Sequence, residues 1–343
     1  MDAVAWLIEA GVMIFLSAGV ISFLLLLWLK PVLARHALAK PNARSSHKIA
    51  TPQGGGIAVV AAMTIVLAAT VTFAPGSINE LWRLAAVFVS TIFLAIVGII
   101  DDIRPVEALP RLLLQAVAVI ILLAAVPVEL RVWGPLPWWM ERVLMFGAVL
   151  WFVNLVNFMD GIDWMTVTEV VPVTAGLALF GLAGVLPSEA TWVAFGLCGA
   201  IVGFAPLNRP VARVFLGDVG SLPIGLLVSW LLVLLAGHGY FTAALLLPLY
   251  YLADGTITLL RRAVNHEPLT QAHRSHFYQR ALDNGFSVYQ IVGYVFALNI
   301  ALAGLAAATT LNNSLALQLA VAAAGCVLVG ALLWTFNCAH AKR

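Results

Sequence analysis

What most constrains this chain is a succession of apolar stretches, each about as long as a helix that crosses a bilayer. A hydrocarbon core roughly 30 Å thick takes about 20 helical residues. About eleven such stretches follow one another, with cores near 8–29, 54–74, 82–100, 112–127, 138–158, 166–186, 190–206, 221–237, 240–260, 287–309 and 315–337. The one after Arg111 is short enough to be tilted or partly buried. Composition agrees, since 62% of side chains are hydrophobic and 10% charged, where a soluble domain has about 25% charged. The predicted fold is all-α, a single polytopic membrane domain over residues 1–343.

Charge placement predicts the orientation. Of the 18 Lys and Arg, all but Arg83, Arg131 and Arg142 fall in the loops after the first, third, seventh and ninth stretches or at the C-terminus. The positive-inside rule then puts the N-terminus outside and the C-terminus in the cytoplasm. The first stretch carries Asp2 and Glu9 where a signal peptide would be basic, so it is expected to remain as an anchor. Cys198, Cys326 and Cys338 have no metal-ligand spacing and are expected to be packing residues. A net charge of +2 gives no reason to expect nucleic acid.

In so apolar a chain the informative residues are the ionisable ones, because they are costly in or beside a span unless they serve a purpose. They gather in loops that the orientation assigns to the cytoplasm: 30–53, 101–111, 158–166, 207–221 and 261–286. In the first, Lys48 precedes the run Gly54-Gly55-Gly56, whose amides could approach an anion. Taken alone, the run reads first as a flexible helix entry with topogenic charge. In GIIDDIRP, Asp101 and Asp102 stand side by side at a helix end, able to bind a divalent cation or accept a proton, or simply to be solvated. In NLVNFMDGIDWM, Asn154, Asn157 and Asp160 recur every three residues on one helix face, and Asp163 follows a break at Gly161. In GFAPLNRPVARVFLGDVGSLPIG, Asp218 lies between glycines at the start of a span, with Ser221 as the expected cap. A carboxylate beside free amides would suit Mg²⁺ and phosphate together. In HRSHFYQR, His273 and His276 would share a helix face with Arg280. Lacking a third ligand for zinc, they and Arg274 read as an anion site.

Carboxylates for a cation, amides for hydrogen bonding and basic groups for phosphate, all on one face, suit chemistry on a nucleotide diphosphate at a membrane surface. In this order, SSHKIATPQGGG, GIIDDI, NLVNFMDGID, GFAPLN with VFLGDVGS, and HRSHFYQR resemble the motifs of the polyprenyl-phosphate N-acetylhexosamine-1-phosphate transferases. The resemblance spans nearly the whole chain. It implies that undecaprenyl phosphate attacks the β-phosphorus of a UDP-N-acetyl sugar, releasing UMP, with Mg²⁺ or Mn²⁺ required. It further implies that Asp101 and Asp102 handle the lipid phosphate, Asp101 taking its proton, and that Asp218 ligates Mg²⁺. Asn157 and Asp160 would support diphosphate and metal, with Asn154 and Lys48 beside them. Asp163, Asn208 and Phe215 would meet the nucleotide, the phenyl ring on uracil, and His273, Arg274 and His276 would bind sugar or diphosphate.

The chain departs from the family pattern in having Trp164-Met165 after NxxNxxDGxD, and in lacking a lysine after the aspartate pair, for which Arg104 or Arg111 would stand in. The SSH and HRSHFYQ segments look most like the branch that starts O-antigen or other surface polysaccharides in the bacterial inner membrane. Transfer of GlcNAc-1-phosphate or phospho-MurNAc-pentapeptide is the alternative within the family, and a homodimer is compatible with the fold. A lipid-linked-sugar flippase is the competing class. It would need polar groups deep in several spans, and apart from Asp254 the sequence offers few.

Overall fold

The computed structural model describes residues 3–39, 50–73, 78–268, 274–312 and 314–338, so Lys48 and His273 lie outside the described residues. Among the described residues the structure is all-α and 78% helical. Its helices are α1 (Ala3–His36), α2 (Gly56–Phe73), α3 (Ile78–Ile103), α4 (Ala108–Ala124), α5 (Trp138–Met159), α6 (Met165–Leu182) and α7 (Ser188–Asn208). They continue with α8 (Asp218–Gly237), α9 (Phe241–Leu246), α10 (Leu249–Val264), α11 (Phe277–Asp283), α12 (Val288–Ala308) and α13 (Leu315–Asn337). Short strands β1 (Leu38–Ala39) and β2 (Thr51–Pro52) pair antiparallel beside the start of α2.

Among the described residues eight helices are long and apolar enough to cross a membrane, namely α1, α3, α5, α6, α7, α8, α12 and α13, while α2 and α4 are shorter apolar helices. Each apolar stretch of the sequence has its helix, with one correction. The ninth, expected as one span over 240–260, is two helices, α9 and α10. The break falls at Leu247 and Pro248, since proline has no N–H to extend the α9 ladder, and the Pro248 carbonyl instead begins α10 by accepting from Leu252 N–H.

The core is built around α8, 94% of whose apolar window is buried, whereas α1 and α13 at the periphery are 22% and 17% buried. Outer helices of a membrane bundle keep apolar side chains outward because lipid tails solvate them. Two glycines bring the neighbours of α8 to its first turn. A Cβ on Gly56 of α2 would overlap the Gly220 backbone, and one on Gly98 of α3 would overlap the carbonyl of Asp218. Small residues permit such backbone contact between membrane helices, and here they gather the ends of three helices at one point.

One polar pair lies within the bundle where the sequence promised little. Asn299 of α12 donates to Glu169 of α6 at 2.6 Å, and both are buried. A carboxyl inside the apolar run VTEVV becomes tolerable once a neighbouring helix supplies the donor.

Candidate active site

The end of the bundle where α3 and α5 finish and α8 begins carries the carboxylates, and the two adjacent aspartates face different partners. Asp101 accepts from the Val106 amide at 2.7 Å and from Arg111 Nη1 at 2.7 Å. The same Arg111 nitrogen lies 3.5 Å from Asp218 Oδ2. Arg111 sits in the first turn of α4, and helix geometry after the short 104–107 loop returns it over the end of α3. Asp102 turns toward α8, accepting from the amides of Asp218 at 2.9 Å and Val219 at 3.2 Å and from Gln53 Nε2 at 2.5 Å.

This arrangement corrects two expectations. Ser221 does not cap α8. The helix begins at Asp218 after Gly217, and its cap is supplied from another helix by Asp102, while the Ser221 hydroxyl accepts from Asn157 at 2.9 Å. Nor are the first amides of α8 open to a phosphate, since Asp102 takes those of Asp218 and Val219, and the Gly217 carbonyl takes those of Gly220 and Ser221. A helix N-terminus satisfied by a carboxylate has already spent its attraction for anions.

Asn157 links α5 to this centre by donating to Asp218 Oδ1 at 2.8 Å. One turn earlier, Asn154 donates to Gln115 of α4 at 2.7 Å. Asp160 ends α5 and accepts from Thr166 at 2.5 Å. Burial, with the nearby charges of Asp102 and Asp163, pushes its carboxyl up to about 7, although the residue keeps some exposure. A cation at that carboxyl would offset the penalty.

The turn from α5 to α6 is tied to the loop before α8. Asp163 accepts from the Ala212 amide at 2.9 Å, and Asn208 Oδ1 accepts from the Trp164 amide at 2.8 Å while its Nδ2 donates to the Val214 carbonyl at 3.1 Å. Trp164 has φ 63 and its indole donates to the Ala205 carbonyl at 2.7 Å. The unusual tryptophan thus anchors the turn. Phe215 is held at both backbone atoms, its N–H by Pro52 and its carbonyl by Gly55 N–H, each at 2.8 Å. The glycine run is therefore a second correction to the anion reading. The amides of Gly55 and Gly56 pair with the carbonyls of Phe215 and Leu216, and the glycines serve close packing.

Two cavities meet at this centre. One, of about 170 Å³, is lined by polar side chains, Asn157, Asp160, Asp163, Asn208 and Asp218, and by apolar ones, Ile162, Phe215 and Leu216. The other, of about 710 Å³, starts at Arg111, Asn154 and His276 and continues between α4, α5 and α10 past Leu112, Leu150, Trp151 and Leu259. They share Asn157, Asp160, Gly161 and Asp218. Asp101 and Asp102 line neither; they stand behind Arg111 and the first turn of α8.

The histidine loop differs from its expected form. His276 does not lie on a helix with Arg280. It precedes α11 as its N-terminal cap residue, is 2% exposed, and its Nδ1 is 3.0 Å from Asp254 Oδ1. Arg280 reaches Asn337 at 3.3 Å, and Arg274 pairs with Asp283 at 3.0 Å. Arg274 lines neither cavity. Sequence reasoning ranked Arg111 only as a stand-in and did not single out Gln53, Gln115 or Tyr278. A hint lay in Gln115, a polar residue inside an apolar helix, which has to find a buried partner.

Among the described residues no three Asp, Glu, His or Cys side chains gather as a complete metal cage. Mg²⁺ is commonly held by one or two carboxylates, with substrate phosphates and water completing the octahedron. Asp160 and Asp218, lining the same cavities, fit that donor set.

Residues 84–236 match the model of glycosyl transferase family 4. Over 308 residues, 82% of this chain and 83% of the relative, the chain is 26% identical to a probable undecaprenyl-phosphate N-acetylglucosaminyl 1-phosphate transferase of Bacillus subtilis. It is 26% identical over 268 residues, 77% of this chain and 80% of the relative, to an undecaprenyl-phosphate alpha-N-acetylglucosaminyl 1-phosphate transferase of Thermotoga maritima. A phospho-N-acetylmuramoyl-pentapeptide-transferase of Symbiobacterium thermophilum is 30% identical over 227 residues, 57% of this chain and 64% of the relative. With its multiple apolar helices, the chain is similar to glycosyl transferase family 4 over residues 84–236 and to undecaprenyl-phosphate N-acetylglucosaminyl 1-phosphate transferases over most of its length.

Proposed function

We propose that the protein transfers an N-acetylhexosamine-1-phosphate from a UDP-sugar to undecaprenyl phosphate, forming undecaprenyl-diphospho-sugar and releasing UMP. The observation that carries this reading is the meeting of the two cavities at Asn157, Asp160 and Asp218. A lipid phosphate entering along α4 and α5 and a nucleotide diphosphate held beside Phe215 would bring their phosphorus centres together there. Proximity of two bound substrates is a large part of catalysing such a displacement.

In this mechanism Arg111 holds the lipid phosphate at the mouth of the apolar cavity. Asp101 orients Arg111, and Asp102 fixes the backbone that carries Asp218. That revises the expectation that Asp101 takes a proton from the lipid. A phosphate monoester, with a second pKa of about 6, is already largely ionised at neutral pH and needs no base, and Asp101 lines neither cavity. Asp218 and Asp160 would hold Mg²⁺ or Mn²⁺, which when bound neutralises diphosphate charge. Asn157 keeps the Asp218 carboxylate in place. Asp163 and Asn208 shape the nucleotide cavity through the turn they pin, and the Phe215 ring offers a stacking face to uracil. Asn154, Lys48, His273, Arg274 and His276 complete the proposed substrate contacts.

The basic residues support an orientation with this end in the cytoplasm, N-terminus outside, in the bacterial plasma membrane. We assign the product to the start of an O-antigen or other surface polysaccharide. The relatives named for N-acetylglucosaminyl transfer align over more of the chain than the muramoyl-pentapeptide relative, which makes UDP-GlcNAc the first donor to try. The test is to incubate purified protein with undecaprenyl phosphate, Mg²⁺ and a panel of UDP-N-acetyl sugars. UMP release that requires the lipid supports the reading, and no UMP with any sugar overturns it.

A further inference from the structure

Asp254 has five hydrogen-bond partners, and the transfer chemistry gives it no task. It lies in α10 with no exposed surface. Its Oδ1 is 3.0 Å from His276 Nδ1 and accepts from the Phe277 amide at 3.1 Å and the Thr258 hydroxyl at 3.3 Å. Its Oδ2 accepts from the Tyr278 amide at 3.3 Å and the Tyr250 hydroxyl at 3.3 Å. Three of these five partners are consecutive residues, His276, Phe277 and Tyr278, where the histidine loop becomes α11.

The same stretch touches the site from its other side. The Tyr278 hydroxyl donates to the Phe158 carbonyl at 3.3 Å and accepts from Gln279 at 3.1 Å. It fills the space beside Gly161, where a Cβ would overlap it. Gly161 lies between Asp160 and Asp163. His276 and Tyr278 stack, with ring centroids 5.7 Å apart and planes 19° from parallel, and both line the larger cavity. A rigid path therefore runs from Asp254 through the start of α11 to the turn that carries the proposed cation and nucleotide ligands.

We propose that Asp254 is a positioning residue, which by holding the His276 ring and the first amides of α11 sets where His276 and Tyr278 stand against the donor sugar-diphosphate. A buried side chain that accepts from the Phe277 and Tyr278 amides and from two hydroxyls while meeting His276 is a strong anchor for such a loop. Asparagine in its place would keep one acceptor oxygen and leave buried donors without the other. Although His276 and Tyr278 line the cavity that also admits the lipid, Tyr278 meets Gly161 at the junction of the two cavities, where the donor sugar-diphosphate would lie, while the lipid-phosphate contacts centre on Arg111 and α4; the donor should sense the change and the lipid much less.

The proposal rests on the transferase reading, and its test has one arm that does not. In Asp254→Asn the structural arm is limited trypsin digestion in detergent, following cleavage after Arg280 in α11. The variant should be cut there at least ten-fold faster than the parent, with cleavage after Arg142 in α5 unchanged. In the kinetic arm, the UDP-sugar KM should rise at least ten-fold while the undecaprenyl phosphate KM stays within two-fold. In a double-mutant cycle, Asp254→Asn should add less than two-fold to the donor defect already present in His276→Ala. If the parent shows no turnover while the digestion difference is present, the transferase reading fails and the anchoring stands. Equal cleavage after Arg280, a matching rise in both KM values, or independent effects of the two substitutions would each overturn the proposal. Should Asp254→Asn fail to accumulate, Tyr278→Phe, which removes the contact with Phe158 and leaves Asp254 intact, gives the same kinetic split at smaller amplitude. Its absence there would equally overturn it.

Discussion

Replacing Asp102 by alanine separates a residue that holds the framework from one that does the chemistry. The substitution removes the acceptor for two backbone amides in the first turn of α8 and for Gln53. An N-terminal cap is worth about 0.5–2 kcal/mol and a hydrogen bond to a charged group about 1.5–3 kcal/mol. Asp102 is half-buried, so water recovers part of this. A loss of about 3 kcal/mol is a reasonable expectation, at the lower end of that sum. With about 2–4 °C per kcal/mol for a chain of this size or somewhat smaller, the melting temperature in detergent should fall by about 6–12 °C. Turnover should fall as well, by about 10², because an error of about 1 Å in Asp218 misplaces a proposed cation ligand. Asp101→Asn gives the contrast. It retains an acceptor for the Val106 amide and loses mainly an ion pair whose arginine is 24% exposed, worth at most about 1 kcal/mol. The assay is thermal unfolding of both variants beside UMP release. An Asp102→Ala protein that melts like the parent and yet is inactive would refute the reasoning, since Asp102 would then act on substrate and not through α8.

Other perturbations reach the remaining parts of the site. Arg111→Ala should raise the KM for undecaprenyl phosphate at least ten-fold and leave that for the UDP-sugar nearly unchanged; the reverse pattern would move Arg111 to the donor side. Asp160 has a carboxyl raised to about 7 in the fold against about 3.8 in the open chain. Its protonated form is thus favoured by folding, and without a cation its contribution worsens as pH rises from about 4 through 7. Mg²⁺ bound to the carboxylate removes that penalty, so the Mg²⁺-induced rise in melting temperature should be larger at pH 8 than at pH 5.5. An equal rise at both pH values would argue against Asp160 as a ligand.

The helices were legible because each is a separate apolar run, and lipid leaves the backbone no alternative to internal hydrogen bonding. The break at Leu247 and Pro248 was hidden because apolar residues continue across it. The site was legible as a set of residue types and not as a set of roles. The sequence places Asp101 and Asp102 together, but consecutive positions on a helix point about 100° apart, so one meets Arg111 and the other meets α8. Gly54-Gly55-Gly56 has the composition of an anion loop, yet the amides of Gly55 and Gly56 are taken by a loop about 160 residues further along. Arg111 and Asp254 gain their importance from partners that only folding brings near: Asp218 for the first and His276 for the second. Local pattern cannot report such long-range pairs.

The reaction type itself is tested most directly by following the sugar and the β-phosphorus of the donor. UDP-GlcNAc labelled in the sugar and at the β-phosphorus, supplied with undecaprenyl phosphate and Mg²⁺, should deliver both labels to the lipid phase in equal amounts and leave unlabelled UMP in the aqueous phase. Sugar label in the lipid without its phosphorus would mean transfer of the sugar alone with release of UDP, and would contradict phosphosugar transfer at the junction of the two cavities.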